Sequence, residues 1–197
     1  MQAQGFEKDK NYFSFSYGFG SYFSPSSFEN TVKNNLSYTN TSISSNSLGP
    51  LSFKYERAVS EKVGIGISVN YLSNSFKITK TDLGTNSNIT GNYNLNRTTF
   101  SILARMNLHF VEGEKFDPYW GIGIGYRTTN WKQEISYSDE TFTDPNPEDF
   151  TPPIRIQFPF GFETVFGTRY FVGPNFALFG ELGLAKAVLQ VGVTGKF

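Results

Sequence analysis

Polar and apolar residues alternate through much of this 197-residue chain. The clearest example is the C-terminal segment 187–197, in which one set of alternate positions is apolar and the other carries Gln, Gly, Thr and Lys. Successive side chains of a β-strand point to opposite faces, so this segment predicts a strand with one apolar and one polar face. Taken alone, the segment fits a lipid-facing strand and a strand of a soluble protein equally well.

Seven further segments have the same period of two, so the sequence predicts eight strands. The others lie at 12–23, 51–59, 63–72 and 98–110, from 119, from about 156, and at 176–184. Their apolar faces are the candidates for contact with lipid. We assign this role to Phe13, Phe15, Ile65, Ile67, Ile102, Ile122, Ile124, Phe160, Leu189, Val191 and Val193.

The predicted connections alternate between short and long. Segments 60–62, 112–117 and 173–175 are short turns, whereas 24–49, 74–97 and 130–153 are long and rich in polar or acidic residues. Short periplasmic turns and long extracellular loops are typical of up-and-down membrane barrels. We therefore predict an all-β fold, an eight-stranded antiparallel transmembrane β-barrel over 11–197, preceded by a periplasmic segment at 1–10.

Composition favours the membrane setting. Aromatic residues make up 17% of the chain, with 21 Phe, yet the mean hydropathy is only −0.33. An apolar outer band with aromatic girdles around a polar interior produces that combination. The absence of cysteine excludes disulfides and thiolate metal sites, and the net charge of +0 gives no attraction to nucleic acid. Segment 1–4 is interpreted as the remnant of a removed export signal.

Charged residues on the polar faces would share the barrel lumen. Five are basic and three acidic: Lys54, Arg105, Arg127, Arg169 and Lys196, with Glu56, Glu163 and Glu181. The interior of an eight-stranded barrel is only wide enough for side chains to fill it. We therefore expect these charges to pair across the lumen and fix the barrel shape, with a narrow ion or proton path as the alternative.

A family resemblance covers nearly the whole barrel and is most specific over roughly the last 35 residues. Segments 178–183 (LFGELG) and 188–197 (VLQVGVTGKF), with 167–171 and the turn 173–175, resemble the outer-membrane β-barrel domain family common in Bacteroidota, which belongs with the small OmpX/OmpA-like barrels. The resemblance implies a bacterial outer-membrane location and a terminal aromatic signal for the barrel-assembly machinery, here Phe197. It implies no activity, because the family is functionally diverse.

Candidate chemistry is sparse. His109, the only histidine, is expected at the periplasmic rim in a structural role, and the glycines at 121, 123 and 125 alternate within a strand instead of forming a nucleotide-binding loop. The acidic segment 139–149 is expected to be solvated, with divalent bridging to lipopolysaccharide or docking of a protein through Tyr137, Phe142 and Phe150 as alternatives. We predict no catalytic residue, cofactor or metal site.

The function expected from these patterns is non-enzymatic. The barrel would have a structural or recognition role through its extracellular loops, or would be a subunit of a larger outer-membrane complex. A narrow channel for ions or small solutes is the alternative, and a lipid-modifying enzyme is less favoured. Expected partners are outer-membrane lipid, lipopolysaccharide, the assembly machinery and a larger outer-membrane protein, but not nucleic acid.

Overall fold

Eight antiparallel strands form a closed barrel in the computed structural model, each paired with its sequence neighbours and β1 with β8. The structure describes residues 5–19, 41–81, 89–110, 115–138, 159–184 and 187–197. The strands are β1 Asn11–Phe19, β2 Thr41–Ala58, β3 Val63–Lys80, β4 Gly91–His109, β5 Phe116–Tyr137, β6 Phe160–Gly173, β7 Phe176–Leu184 and β8 Leu189–Lys196. The predicted fold is confirmed. Across the described ranges, no helix is long and apolar enough to cross a membrane.

Four strands are longer than predicted. β2, β3, β4 and β5 occupy 41–49, 74–80, 91–97 and 130–137, which the sequence analysis assigned to long loops. That assignment was wrong. It arose because these segments are rich in Asn and Ser, which are typical of turns. The turn predicted at 112–117 also ends early, since β5 begins at Phe116. Three predicted features lie wholly or mostly outside the described residues. They are the end of the first strand at 20–23, the start of the sixth strand at 156–159 and the acidic segment 139–149.

An apolar band surrounds the barrel. All eleven predicted lipid-facing residues lie on the outward face, ten of them exposed and Ile122 half-buried. Along β4 and the residue after it, every outward residue from Phe100 to Phe110 is apolar. The segment 100–110 is eleven residues long, which matches the length of about 9–11 residues that a tilted strand needs to cross a bilayer. Proteins in water rarely expose contiguous apolar patches beyond a few hundred Å². The barrel is therefore built to span a membrane.

The polarity of the two faces inverts where the band stops. On β3 the outward residues change from Ile65, Ile67 and Val69 to Ser73 and Ser75. The inward residues now include the large apolar side chains of Leu72, Phe76 and Ile78. β4 shows the same inversion beyond Phe100, where outward asparagines alternate with buried Tyr93 and Leu95. The segments 41–49, 73–80, 91–98 and 130–137, called here the sheet extension, thus belong to an aqueous environment.

The other end of the barrel carries the connections 59–62, 110–115 and 174–175, and Phe197 lies there as well. We call it the short-turn end. The N-terminal segment 5–10 is bound to this end by backbone hydrogen bonds. In one of them the Asp9 N–H donates to the Ala58 carbonyl at 2.9 Å. This segment therefore adjoins the lumen described below.

Candidate functional site

The lumen near the short-turn end holds a buried cluster of four ionisable residues from four strands. His109 Nδ1 lies 2.5 Å from Asp117 Oδ1, and His109 Nε2 lies 3.0 Å from Glu56 Oε1. Arg169 donates a short charge-assisted hydrogen bond to Glu56 Oε2 and lies 3.5 Å from Asp117 Oδ2. The alternation of β2, β4, β5 and β6 turns all four inward, so each carboxylate meets a basic group and none faces the lipid.

A second cluster lies deeper in the lumen. Glu181 accepts a hydrogen bond from Lys54 Nζ at 2.5 Å, from Arg105 at 2.6 Å and from the Tyr119 hydroxyl at 2.8 Å. Arg105 also contacts Glu163 Oε1 at 3.2 Å. These contacts join β2, β4, β5, β6 and β7 across the interior, where low dielectric strengthens each paired interaction and penalises any charge left alone.

The N-terminal segment closes the short-turn mouth over these clusters. The Phe6 ring stacks on the His109 imidazole with centroids 3.5 Å apart and planes 11° apart. Phe6 also packs against a small apolar cluster of Tyr12, Ala58, Phe171 and Ala177. Lys196, on the last strand, forms a short ion pair with Glu7. The segment therefore acts as a lid on the lumen.

The structure brings seven of the eight predicted lumen charges into ion pairs, with Glu7 as the unforeseen partner of Lys196. Arg127 is half-buried and donates to the Phe162 backbone carbonyl at 3.5 Å, and it interacts electrostatically with Glu163. Sequence reasoning missed Asp117, which it placed in a turn. A signal was present, because Asp117 and Tyr119 have the same parity as the inward Gly121.

Little free space remains between these side chains. A cavity of about 10 Å³ lies among residues of both clusters, which is room for one water at most. Glycines provide the space that the charges fill: a Cβ at Gly64 would come 1.8 Å from Glu56 Oε1, and one at Gly121 would come 2.5 Å from Asn107 Oδ1. Packing and pairing together make this lumen a structural core.

The described residues hold no group of three or more His, Cys, Asp or Glu side chains placed to bind a metal ion. Both ring nitrogens of His109 are engaged by carboxylates, and its ring faces Phe6 inside the barrel. What the arrangement does chemically is bind strand to strand through charge-assisted hydrogen bonds, which are about twice as strong as neutral ones.

No family model and no curated protein matches the chain. Several solved structures are similar to it. A designed transmembrane β-barrel shares 13% identity, with full coverage of both chains and a TM-score of 0.49. The N-terminal β-barrel domain of Pseudomonas aeruginosa OprF shares 12%, covering 96% of this chain and 98% of that one, with a TM-score of 0.38.

The attachment invasion locus protein Ail of Yersinia pestis, solved with the heparin analogue sucrose octasulfate, also shares 12% identity. The match covers 97% of this chain and all of that one, with a TM-score of 0.43. These likenesses extend to the barrel fold and no further, and the resemblance to a Bacteroidota family stays a prediction.

Proposed function

We propose that this protein is a non-enzymatic barrel of the bacterial outer membrane that holds a recognition surface above the bilayer. The observation that carries the proposal is the sheet extension. β3 pairs with β4 without a break as far as the pair Lys80 and Gly91. β4 pairs with β5 as far as the pair Gly91 and Tyr137, so both pairings continue well beyond the apolar band. Spanning the membrane requires no such continuation.

The extension is a packed structure on its inner side. Phe76, Ile78, Tyr93 and Leu95 are at most 2% exposed, and the Lys80 amine lies 5.3 Å from the centre of the Tyr93 ring. A rigid scaffold of this kind is what binding loops require, because it positions them without an added entropic cost. The chain beyond Tyr137 leads directly into the acidic and aromatic segment 139–150.

The outward side of the extension is polar and carries charges of both signs. Lys77, Lys132 and Glu134 are exposed there, among Ser and Asn residues. Mixed polar surfaces of this type suit the solvent-accessible rim of a protein or glycan interface. The partner classes proposed are lipopolysaccharide and a larger outer-membrane protein.

The proposed orientation puts the short-turn end in the periplasm and the extension outside the cell. Exposed Phe197 would then serve as the signal for the assembly machinery, since it directly follows β8 and its ring makes an edge contact with Phe13 at 5.8 Å. The native chain has no cysteine, so single Ser75→Cys and Lys62→Cys variants test the orientation. A membrane-impermeant maleimide should label Ser75→Cys but not Lys62→Cys on intact cells, and the reverse result would refute the orientation.

Recognition is tested by purifying the tagged barrel from its native outer membrane in mild detergent. A stoichiometric partner or lipopolysaccharide that is retained by the unaltered barrel and lost from a Lys132→Ala, Glu134→Ala double variant supports the proposal. Matched substitution of Lys62 and Glu61 at the opposite end is the control. Equal retention by both variants would place the contact elsewhere and refute a role for the extension.

A channel function is disfavoured by the packed lumen, in which the ion pairs and the lid at Phe6 fill the cross-section. Planar-bilayer recording of the reconstituted barrel tests this interpretation. Steady, ion-selective conductance would overturn it.

A further inference from the structure

The membrane-facing wall of β2–β5 has a groove that the lumen network does not explain. Its volume is about 650 Å³, within the range of roughly 300–1,000 Å³ found for ligand pockets. Ala104 lies at its centre, level with Ile67 on one side and Ile124 on the other. The small side chain of Ala104 sits between branched neighbours, and this difference in size makes a depression in the apolar band.

One end of the groove is charged. Arg57 lines it together with Tyr55, and Arg57 is the one charged side chain that the described strands turn outward within the barrel wall below the sheet extension. Its side chain is 49% exposed and lies 3.6 Å from Asp9 Oδ1, itself an exposed group. It also donates to Asn11 Oδ1 at 3.4 Å. Exposed ion pairs are weak, so Asp9 leaves most of the guanidinium donors available to a ligand.

We propose that this groove binds one phospholipid, with an acyl chain along Ala104 and the phosphate held by Arg57. Apolar side chains of β3, β4 and β5 line most of the groove, and the cation lies at its β2 edge, next to the short-turn end of that strand. An apolar tail and an anionic head group would each meet a matching surface there. A guanidinium fork binds phosphate through two parallel hydrogen bonds, which a point charge does not offer. The Tyr55 ring flanks the same end with its hydroxyl directed to Asn11 at 3.0 Å.

The test uses the full chain, reconstituted in vesicles of phosphatidylethanolamine and phosphatidylglycerol and then extracted in mild detergent. Native mass spectrometry counts the phospholipids that each folded barrel retains. We expect one retained phospholipid in the native protein. Ala104→Phe fills the groove and should abolish this retention, while Leu182→Phe places a phenyl ring on the opposite wall and should not. The heat-dependent shift in gel mobility shows whether each variant is folded.

The cation is tested separately. Arg57→Gln should weaken retention about tenfold, the effect of losing one charge-assisted hydrogen bond, and Lys115→Gln at the same end should not. Asp9→Asn distinguishes binding of phosphate by Arg57 from a role of Arg57 in holding the N-terminal segment. If Arg57 only fastens the N-terminal segment, Asp9→Asn and Arg57→Gln lose lipid alike; if Arg57 binds phosphate, Asp9→Asn retains lipid as well as the native protein or better.

Three results would overturn the proposal. One is no phospholipid retained by the folded native barrel, and another is equal loss from Ala104→Phe and Leu182→Phe. The third is unchanged phospholipid retention by the folded Ala104→Phe barrel. None of these results bears on the recognition surface of the sheet extension, so the two proposals fail independently.

Discussion

Replacing Arg105 is the sharpest test of the lumen as a structural core. Its guanidinium lies 2.6 Å from Glu181 Oε1 and 3.2 Å from Glu163 Oε1, with the side chain 4% exposed. Removing one partner of a buried ion pair costs about 3–5 kcal/mol, because a charge remains in a medium of low dielectric. We expect Arg105→Leu to lower the free energy of unfolding by that amount.

The two carboxylates should contribute unequally to this loss. Glu181 keeps a direct ion pair with Lys54 at 2.5 Å, whereas the buried Glu163 loses its direct ion pair with Arg105 and keeps its electrostatic interaction with Arg127. Adding Glu163→Gln to Arg105→Leu should therefore restore more stability than adding Glu181→Gln. The same reasoning predicts that Arg57→Leu on the outer wall changes stability by less than about 1 kcal/mol.

The assay is urea-induced unfolding from phospholipid vesicles, followed by tryptophan fluorescence. The slope of free energy against urea should stay constant across the variants, so that midpoints report stability. A loss below about 1 kcal/mol for Arg105→Leu would refute the core interpretation. Equal rescue by the two glutamine substitutions would refute the unequal partition.

Three further outcomes are expected. Val191→Arg should cost about 2–4 kcal/mol of unfolding free energy if this exposed position faces hydrocarbon, whereas Ser75→Arg, equally exposed but in the extension, should cost almost nothing; similar costs would remove the membrane boundary drawn here. Gly66→Ala should abolish the heat-resistant folded form, because its Cβ would lie 1.8 Å from a backbone oxygen of β2, while Gly180→Ala, with 3.8 Å to its nearest neighbour, should fold normally; folding of both would contradict the strand packing. Phe6→Ala should expose the single histidine to diethylpyrocarbonate, and unchanged reactivity would mean that the lid does not cover it.

The sheet extension shows why the side-chain period of two predicted the strands correctly but not where the long loops begin and end. The alternation continues through 73–80 and 91–98, but the outward positions hold Ser, Thr and Asn, and the inward ones hold residues such as Phe76 and Tyr93. Residue types typical of turns outweighed a period that was present. A search for continued alternation with the polarity exchanged between the faces would have found these strands.

Sequence alone determined the number of strands, the face of each that meets lipid and eight of the charges turned into the lumen. These follow from a side-chain period of two and from the hydrophobic effect, which act along a single strand. The tertiary structure decided which charges meet. His109 and Arg169 both meet Glu56 and Asp117, and these four residues come from four strands. Strand tilt and stagger set which lumen positions lie at one level. Those quantities belong to the closed barrel as a whole, so no local pattern of residues encodes them.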